Sequence, residues 1–155
     1  EVDSGGVEHE LDADENRVRV VAPEVGPAHH IDNIQITQLM YGAWMRYLMQ
    51  GVRLPEDVFD KEGRPTVREI TARFDAEIFP GDPLQCGVRA LSRSRRSFTL
   101  RQVLWKKDGG ARVASGTVVL VTVDPKTYTP IEIPVAIWSQ IERAEGHTIP
   151  IAAST

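Results

Sequence analysis

Residues 24–33 hold the side chains best equipped for chemistry: Glu24, His29, His30, Asp32 and Asn33. An imidazole takes or gives a proton near neutral pH, a carboxylate can draw a proton from water, and an amide can hold a polar group in place. Asp32 and Asn33 stand immediately before an apolar repeat of helical spacing, so either can cap a helix, and Gln35 is placed to complete a capping box with Asp32. The first N–H groups of such a helix, at Asn33, Ile34 and Gln35, have no acceptor within it and form a positive end that favours developing negative charge. Plainer roles stand beside these: Asp32 as a cap alone, Glu24 as a solvated loop acid. His29 and His30 with Asp32 could be read as metal ligands, but adjacent loop histidines rarely converge on one ion, so no metal site is expected. A second cluster, Arg93, Arg95 and Arg96 among Ser92, Ser94 and Ser97, has the charge and donor geometry to dock a phosphate, or is simply a solvated turn.

The elements that must position these groups follow from periodicity. Ile36, Leu39, Met40, Ala43, Trp44, Tyr47 and Leu48 recur at three- and four-residue steps, predicting one long amphipathic helix with Gly51 as its left-handed stop. Gln38 and Tyr41 lie off that stripe, free to face a pocket or a partner subunit. Upstream, Val18, Val20 and Val21 predict a short strand ended by Pro23, then a loop through Gly26, Pro27 and Ala28. Downstream, a loop over residues 53–65 leads to a strand in which Ala72, Phe74, Ala76 and Ile78 share one face. Pro80-Gly81-Asp82-Pro83 turns the chain into a second strand carrying Leu84, Cys86, Val88 and Ala90. A third runs from Phe98 to Trp105, and Asp108-Gly109-Gly110 reverses it into a fourth from Ala111 to Val123, whose centre, Val118 to Val121, reads as buried on both faces. Pro125, Pro130 and Pro134 end the sheet, and Val135 to Ala144 predict a closing helix. The order predicts an α+β fold, an antiparallel meander packed on one helix. One helix cannot cover both faces of such a sheet, so a homo-oligomer is expected.

The chain of 155 residues, 41% hydrophobic, is long enough for one domain with a sizeable core. That domain is expected over residues 16–145, between a flexible acidic arm at 1–15 and a tail at 146–155. The first fifteen residues hold seven acids and no Lys or Arg, so the remainder carries +3 although the whole carries −4. The folded part can therefore favour a polyanionic ligand. Nucleic acid is not implied, because aromatics are only 6% and no recognition motif is present. No apolar run is long enough to span a bilayer and no signal peptide is visible, so a cytoplasmic protein without membrane association is expected. Cys86 is the only cysteine, which excludes an internal disulfide and a thiolate-rich zinc site; in mid-strand it reads as packing.

The stretch Gly26-Pro27-Ala28-His29-His30-Ile31-Asp32-Asn33-Ile34 resembles the motif of acyl-CoA thioesterases of the 4-hydroxybenzoyl-CoA thioesterase type, Asp-x-x-Gly-His-Val-Asn-Asn-Ala. His30 matches the histidine, Ile31 the valine, Asn33 the second asparagine and Ile34 the alanine; Asp32 replaces the first asparagine. Phe74 to Ile78, Pro80-Gly81-Asp82, Gln102, Ala114-Ser115-Gly116 and Val121 to Pro134 resemble later parts of the same family. The resemblance implies a hot-dog fold, an antiparallel sheet wrapped around one long central helix, in a homodimer or homotetramer. It also implies hydrolysis of a thioester of coenzyme A or of an acyl carrier protein, in polyketide or fatty-acid metabolism, with no cofactor beyond the coenzyme A or phosphopantetheine of the substrate.

In that setting Glu24 or Asp32 can activate water, His30 can orient the thioester or act as base, and Asn33 can hold the carbonyl. Ile34, Gln38 and Tyr41 are candidate acyl contacts, and Arg93, Arg95 and Arg96 candidate phosphate contacts. The sequence departs from the pattern at Gly26, where the family commonly has a catalytic acid. That departure keeps two other readings open: a non-hydrolytic acyl-thioester binder, or another hot-dog enzyme such as a hydratase or acyltransferase.

Overall fold

A computed structural model of the chain describes residues 7–12, 17–21, 31–107 and 110–152. Glu24, Gly26, His29, His30 and the Asp108-Gly109 reversal lie outside the described residues.

The elements run β1 (Val7–Asp12), β2 (Arg17–Val21), α1 (Asn33–Arg46), α2 (Val58–Lys61), β3 (Arg64–Phe74), β4 (Pro83–Arg93), β5 (Ser97–Lys106), β6 (Arg112–Val123) and α3 (Val135–Glu145). The six strands form one antiparallel sheet in the order β1-β2-β4-β5-β6-β3, so β1 and β3 are its edges. Strand alternation sends Leu84, Cys86, Val88 and Ala90 of β4, Phe98, Leu100 and Leu104 of β5, and Ala114, Val118 and Leu120 of β6 to one side, where all are buried. Ile36, Leu39, Met40, Ala43 and Trp44 of α1 join them in a single core. Each such Leu or Ile, fully withdrawn from water, contributes about 1.5–3 kcal/mol, so the helical stripe and the strand alternation together hold α1 on the sheet.

Several expectations are corrected. Within the segment expected as a flexible arm, Val7–Asp12 pairs with β2, because a backbone ladder needs no apolar side chains. Gly51 does not stop the long helix in a left-handed conformation. After Arg46 the chain widens into a π-helical turn over Tyr47–Gly51, closed by a Val52 N–H to Tyr47 carbonyl bond of 2.7 Å, and Arg53 takes the left-handed backbone at φ 59°. The expected loop over residues 53–65 contains α2, and β3 already begins at Arg64. That strand ends at Phe74 rather than Ile78. Val119 and Val121 are only half-buried, so the centre of β6 is buried on one face, not two. The expected tail returns to the sheet: Arg93 N–H donates to the Pro150 carbonyl at 2.9 Å, and Ala152 N–H to the Arg93 carbonyl. These bonds meet edge groups of β4 beyond the end of β2, which an exposed strand would otherwise leave to water.

Gly116 on β6 lets β3 approach closely, since a Cβ there would lie 2.0 Å from the Thr71 carbonyl oxygen. The predicted closing helix forms as α3, with Ile137, Trp138 and Ile141 buried and Gly146 at φ 76° as its stop.

Candidate active site at the start of the central helix

The capping box forms as the sequence predicts. Asp32 is extended, its Oδ1 accepts from Gln35 N–H at 2.9 Å, and Gln35 Oε1 accepts from Asp32 N–H at 3.1 Å. The Asp32 carbonyl accepts from Ile36 N–H at 3.0 Å. This leaves the N–H groups of Asn33 and Ile34 with no acceptor among the described residues, on side chains that are exposed. No acidic residue in the first turn neutralises them. Two donors at the positive end of a 14-residue helix suit an anionic oxygen.

The first of these residues, Asn33, borders an open groove. Ile31, Asp32, Asn33 and Ile36 form one wall, and residues 74–77, the chain just beyond β3, form the other. The second wall is pinned at both ends. Asp75 and Ala76 N–H groups both donate to the Val113 carbonyl, and the Asp75 carboxylate pairs with Arg73 at 2.9 Å and Arg112 at 3.2 Å. Ile78 is fully buried, and its carbonyl accepts from Ile31 N–H at 2.7 Å, which ties this wall to the residue before the helix cap. Reading 72–78 as a strand put Asp75 and Glu77 on an outward face and concealed them as groove residues. The Pro80-Gly81 turn that follows is the local signal that the ladder could break early.

A smaller apolar cavity continues along α1, between Thr37, Met40, Tyr41 and Trp44 on the helix and Ile70, Ala72, Gln102 and Val118 on the sheet. Tyr41 is half exposed and packs edge-on against Trp44, with ring centroids 5.0 Å apart. Gln102 is buried, and its amide donates to the Met40 carbonyl. Ile34 and Gln38 project to solvent. The structure thus brings Asp32 and Asn33 to the groove and Tyr41 to the cavity, while Gln38 lines neither.

The arginine turn does not act as one unit. The Arg93 guanidinium lies 4.3 Å over the Trp138 ring, and its Nε is buried without a hydrogen-bond partner. Arg95 pairs with Glu132, and Arg96 is exposed with no acidic partner among the described residues. Cys86 is fully buried, which pushes its thiol up to about 12 and keeps it out of nucleophilic chemistry. Among the described residues, no helix is long and apolar enough to cross a membrane.

An antiparallel sheet wrapped around one long helix, with the helix start open to a groove, defines the hot-dog class of thioester-handling folds. Residues 9–141 match the thioesterase-like superfamily, and the chain belongs to that family. Among solved structures it is similar to a thioesterase from Thermus thermophilus complexed with coenzyme A and Zn, at 25% identity and TM-score 0.68, covering 83% of this chain and 93% of that one. A hypothetical protein from Staphylococcus aureus in complex with CoA superposes with TM-score 0.74 at 13% identity, covering 89% and 88% of the two chains. A 1,4-dihydroxy-2-naphthoyl-CoA thioesterase from Synechocystis superposes with TM-score 0.68 at 13% identity, covering 81% and 95%. No curated protein matches the chain.

Proposed function

We propose that the protein hydrolyses an acyl thioester of coenzyme A or of an acyl carrier protein, as a cytoplasmic homo-oligomer related to the 4-hydroxybenzoyl-CoA thioesterase type. The observation that supports this reading is the pair of unmet N–H donors at Asn33 and Ile34, the first of them on the wall of an open groove, in a member of the thioesterase-like superfamily. A thioester carbonyl seated there gains negative charge on its oxygen as water attacks, and the two N–H groups stabilise that charge more than the neutral ground state. The acyl group then runs along α1 toward Tyr41 and Trp44. His30, which precedes the cap by two positions in the sequence, orients the ester, and Asn33 holds the carbonyl with its amide. Asp32 serves chiefly as the cap, since its Oδ1 is occupied by Gln35 N–H. Of the arginines, Arg96 and Arg95 are the phosphate contacts this arrangement favours, because Arg93 is turned onto Trp138.

Assembly follows from β3, whose outer edge has no strand beside it among the described residues and whose Ile70 and Phe74 are 49% and 41% exposed. An antiparallel second copy along this edge continues the ladder and covers Ile70 and Phe74. Light scattering at micromolar concentration should therefore give at least twice the protomer mass. For the activity, thiol release from a panel of acyl-CoA and acyl-pantetheine esters should be measured beside calorimetric binding. Gly26 at the usual acid position favours one rival reading, a carrier or sensor that binds the ester without cleaving it. Binding without thiol release across the panel would establish that rival.

A further inference from the structure

We infer that Glu77 is the base that activates water in this site, an inference that rests on the hydrolase reading above. With Gly26 at the position of the usual acid, the water must lose its proton to another group. The groove at the start of α1 presents three carboxylates, Asp32, Asp75 and Glu77, and their surroundings separate them. Asp32 is engaged in the capping box. Asp75 is held between the Arg73 and Arg112 guanidinium groups, at 2.9 and 3.2 Å, with its side chain only 18% exposed. Each of its two oxygens already faces a guanidinium group, so neither is open to an attacking water. Glu77 is exposed and has neither an ion pair nor a hydrogen bond among the described residues, so both its oxygens can accept.

Its placement is as specific as its freedom. The residue that follows it, Ile78, is buried and bonded through its carbonyl to Ile31 N–H, one position before the cap. Two positions before it, Asp75 is anchored to β6 and to two arginines. Glu77 therefore sits on a short span fixed at both sides, on the groove wall opposite the Asn33 donors. A flexible acid elsewhere would have to pay the entropy of this positioning at each turnover.

A water O–H bond breaks, its proton moves to a Glu77 carboxylate oxygen, and the water oxygen bonds to the thioester carbon. The carbonyl electron pair moves to its oxygen, which the Asn33 and Ile34 N–H groups hold. Collapse of this intermediate breaks the C–S bond, and the departing sulfur takes the proton from Glu77, giving a carboxylic acid and a free thiol.

The test uses the full chain and the ester that the parent cleaves fastest. Glu77→Gln should lower kcat about 100-fold, with KM and melting temperature unchanged, and should abolish the acidic limb of the pH–kcat profile. Glu77→Asp should retain that limb at reduced kcat. Asp75→Asn, which loosens two arginines, should lower melting temperature more than Glu77→Gln does. Turnover of Glu77→Gln within a few-fold of the parent, or a loss confined to Glu24→Gln, overturns the role of Glu77 while leaving the hydrolase reading intact. A parent that releases no thiol from any ester overturns the hydrolase reading, and the role of Glu77 with it.

Discussion

The two ends of α1 treat their polar groups in opposite ways. At the start, the Asn33 and Ile34 N–H groups have no acceptor among the described residues, and Asn33 lines an open groove. At the far end, the chain widens through Tyr47–Gly51 and its polar groups are met. Tyr47, fully buried, donates its hydroxyl to Glu145 of α3, whose side chain is only 4% exposed, and the same carboxylate accepts from Ala90 N–H at 2.9 Å. The Gln140 amide donates to the Val52 carbonyl at 3.1 Å. A helix end with satisfied groups is a fastener, here joining α1, α3 and β4. An end with unsatisfied groups is available to a ligand. Substitutions at the two ends should therefore separate stability from turnover.

The largest effect on stability is expected at the fastener. Glu145→Ala removes the shared acceptor and leaves the Tyr47 hydroxyl and the Ala90 N–H buried and unmet, at a cost of about 3 kcal/mol. Urea denaturation should show it as a lower midpoint, with turnover per folded molecule close to the parent's. A loss of turnover without a loss of stability would break the contrast between the two ends.

Next is the alkaline limb of stability. Burial, then the charge of neighbouring Glu145 and the hydrogen bond donated to it, raise the Tyr47 phenol well above its ordinary value of 10.0. The unfolded chain releases this proton near pH 10 while the folded chain keeps it. The contribution is therefore complete below pH 10 and is lost progressively as pH rises further. Tyr47→Phe should flatten that decline and cost about 1–2 kcal/mol at neutral pH, read from denaturation midpoints across a pH series.

At the open end, Asp32→Ala should cost about 1 kcal/mol through loss of the cap, and Asp32→Asn almost nothing. Asp32→Asn should also keep most of the turnover, whereas a fall near 100-fold at unchanged melting temperature would move the base from Glu77 to Asp32. The smallest effect is at Cys86, whose buried thiol should stay unreactive toward a thiol reagent at pH 8 until denaturant is added.

Much of the framework was legible in the residues. The stripe from Ile36 to Leu48 specified α1, the Asp32 and Gln35 spacing specified its capping box, and alternation through Leu84, Cys86, Val88 and Ala90 specified which side of β4 meets the core. These are local patterns whose physical cause lies within a few residues of chain. The elements that went unread lack such a cause. Val7–Asp12 is held by its ladder with β2, and the π-helical turn by what surrounds Tyr47.

The sequence by itself determined that a helix begins at Asn33 with free N–H groups at its start, because capping and the helical repeat act between near neighbours; the structure commits that of Gln35 to Asp32 and leaves two. Only the tertiary structure decided what faces those donors. β3 leaves the sheet after Phe74, Arg112 reaches from the neighbouring strand β6 to clamp Asp75, and Ile78 bonds to Ile31 across 47 positions of chain. Such contacts depend on how the sheet closes around the helix, and no local spacing of residue types encodes them. The same closure turned Arg93 onto Trp138 and parted three arginines that stand almost side by side in the chain.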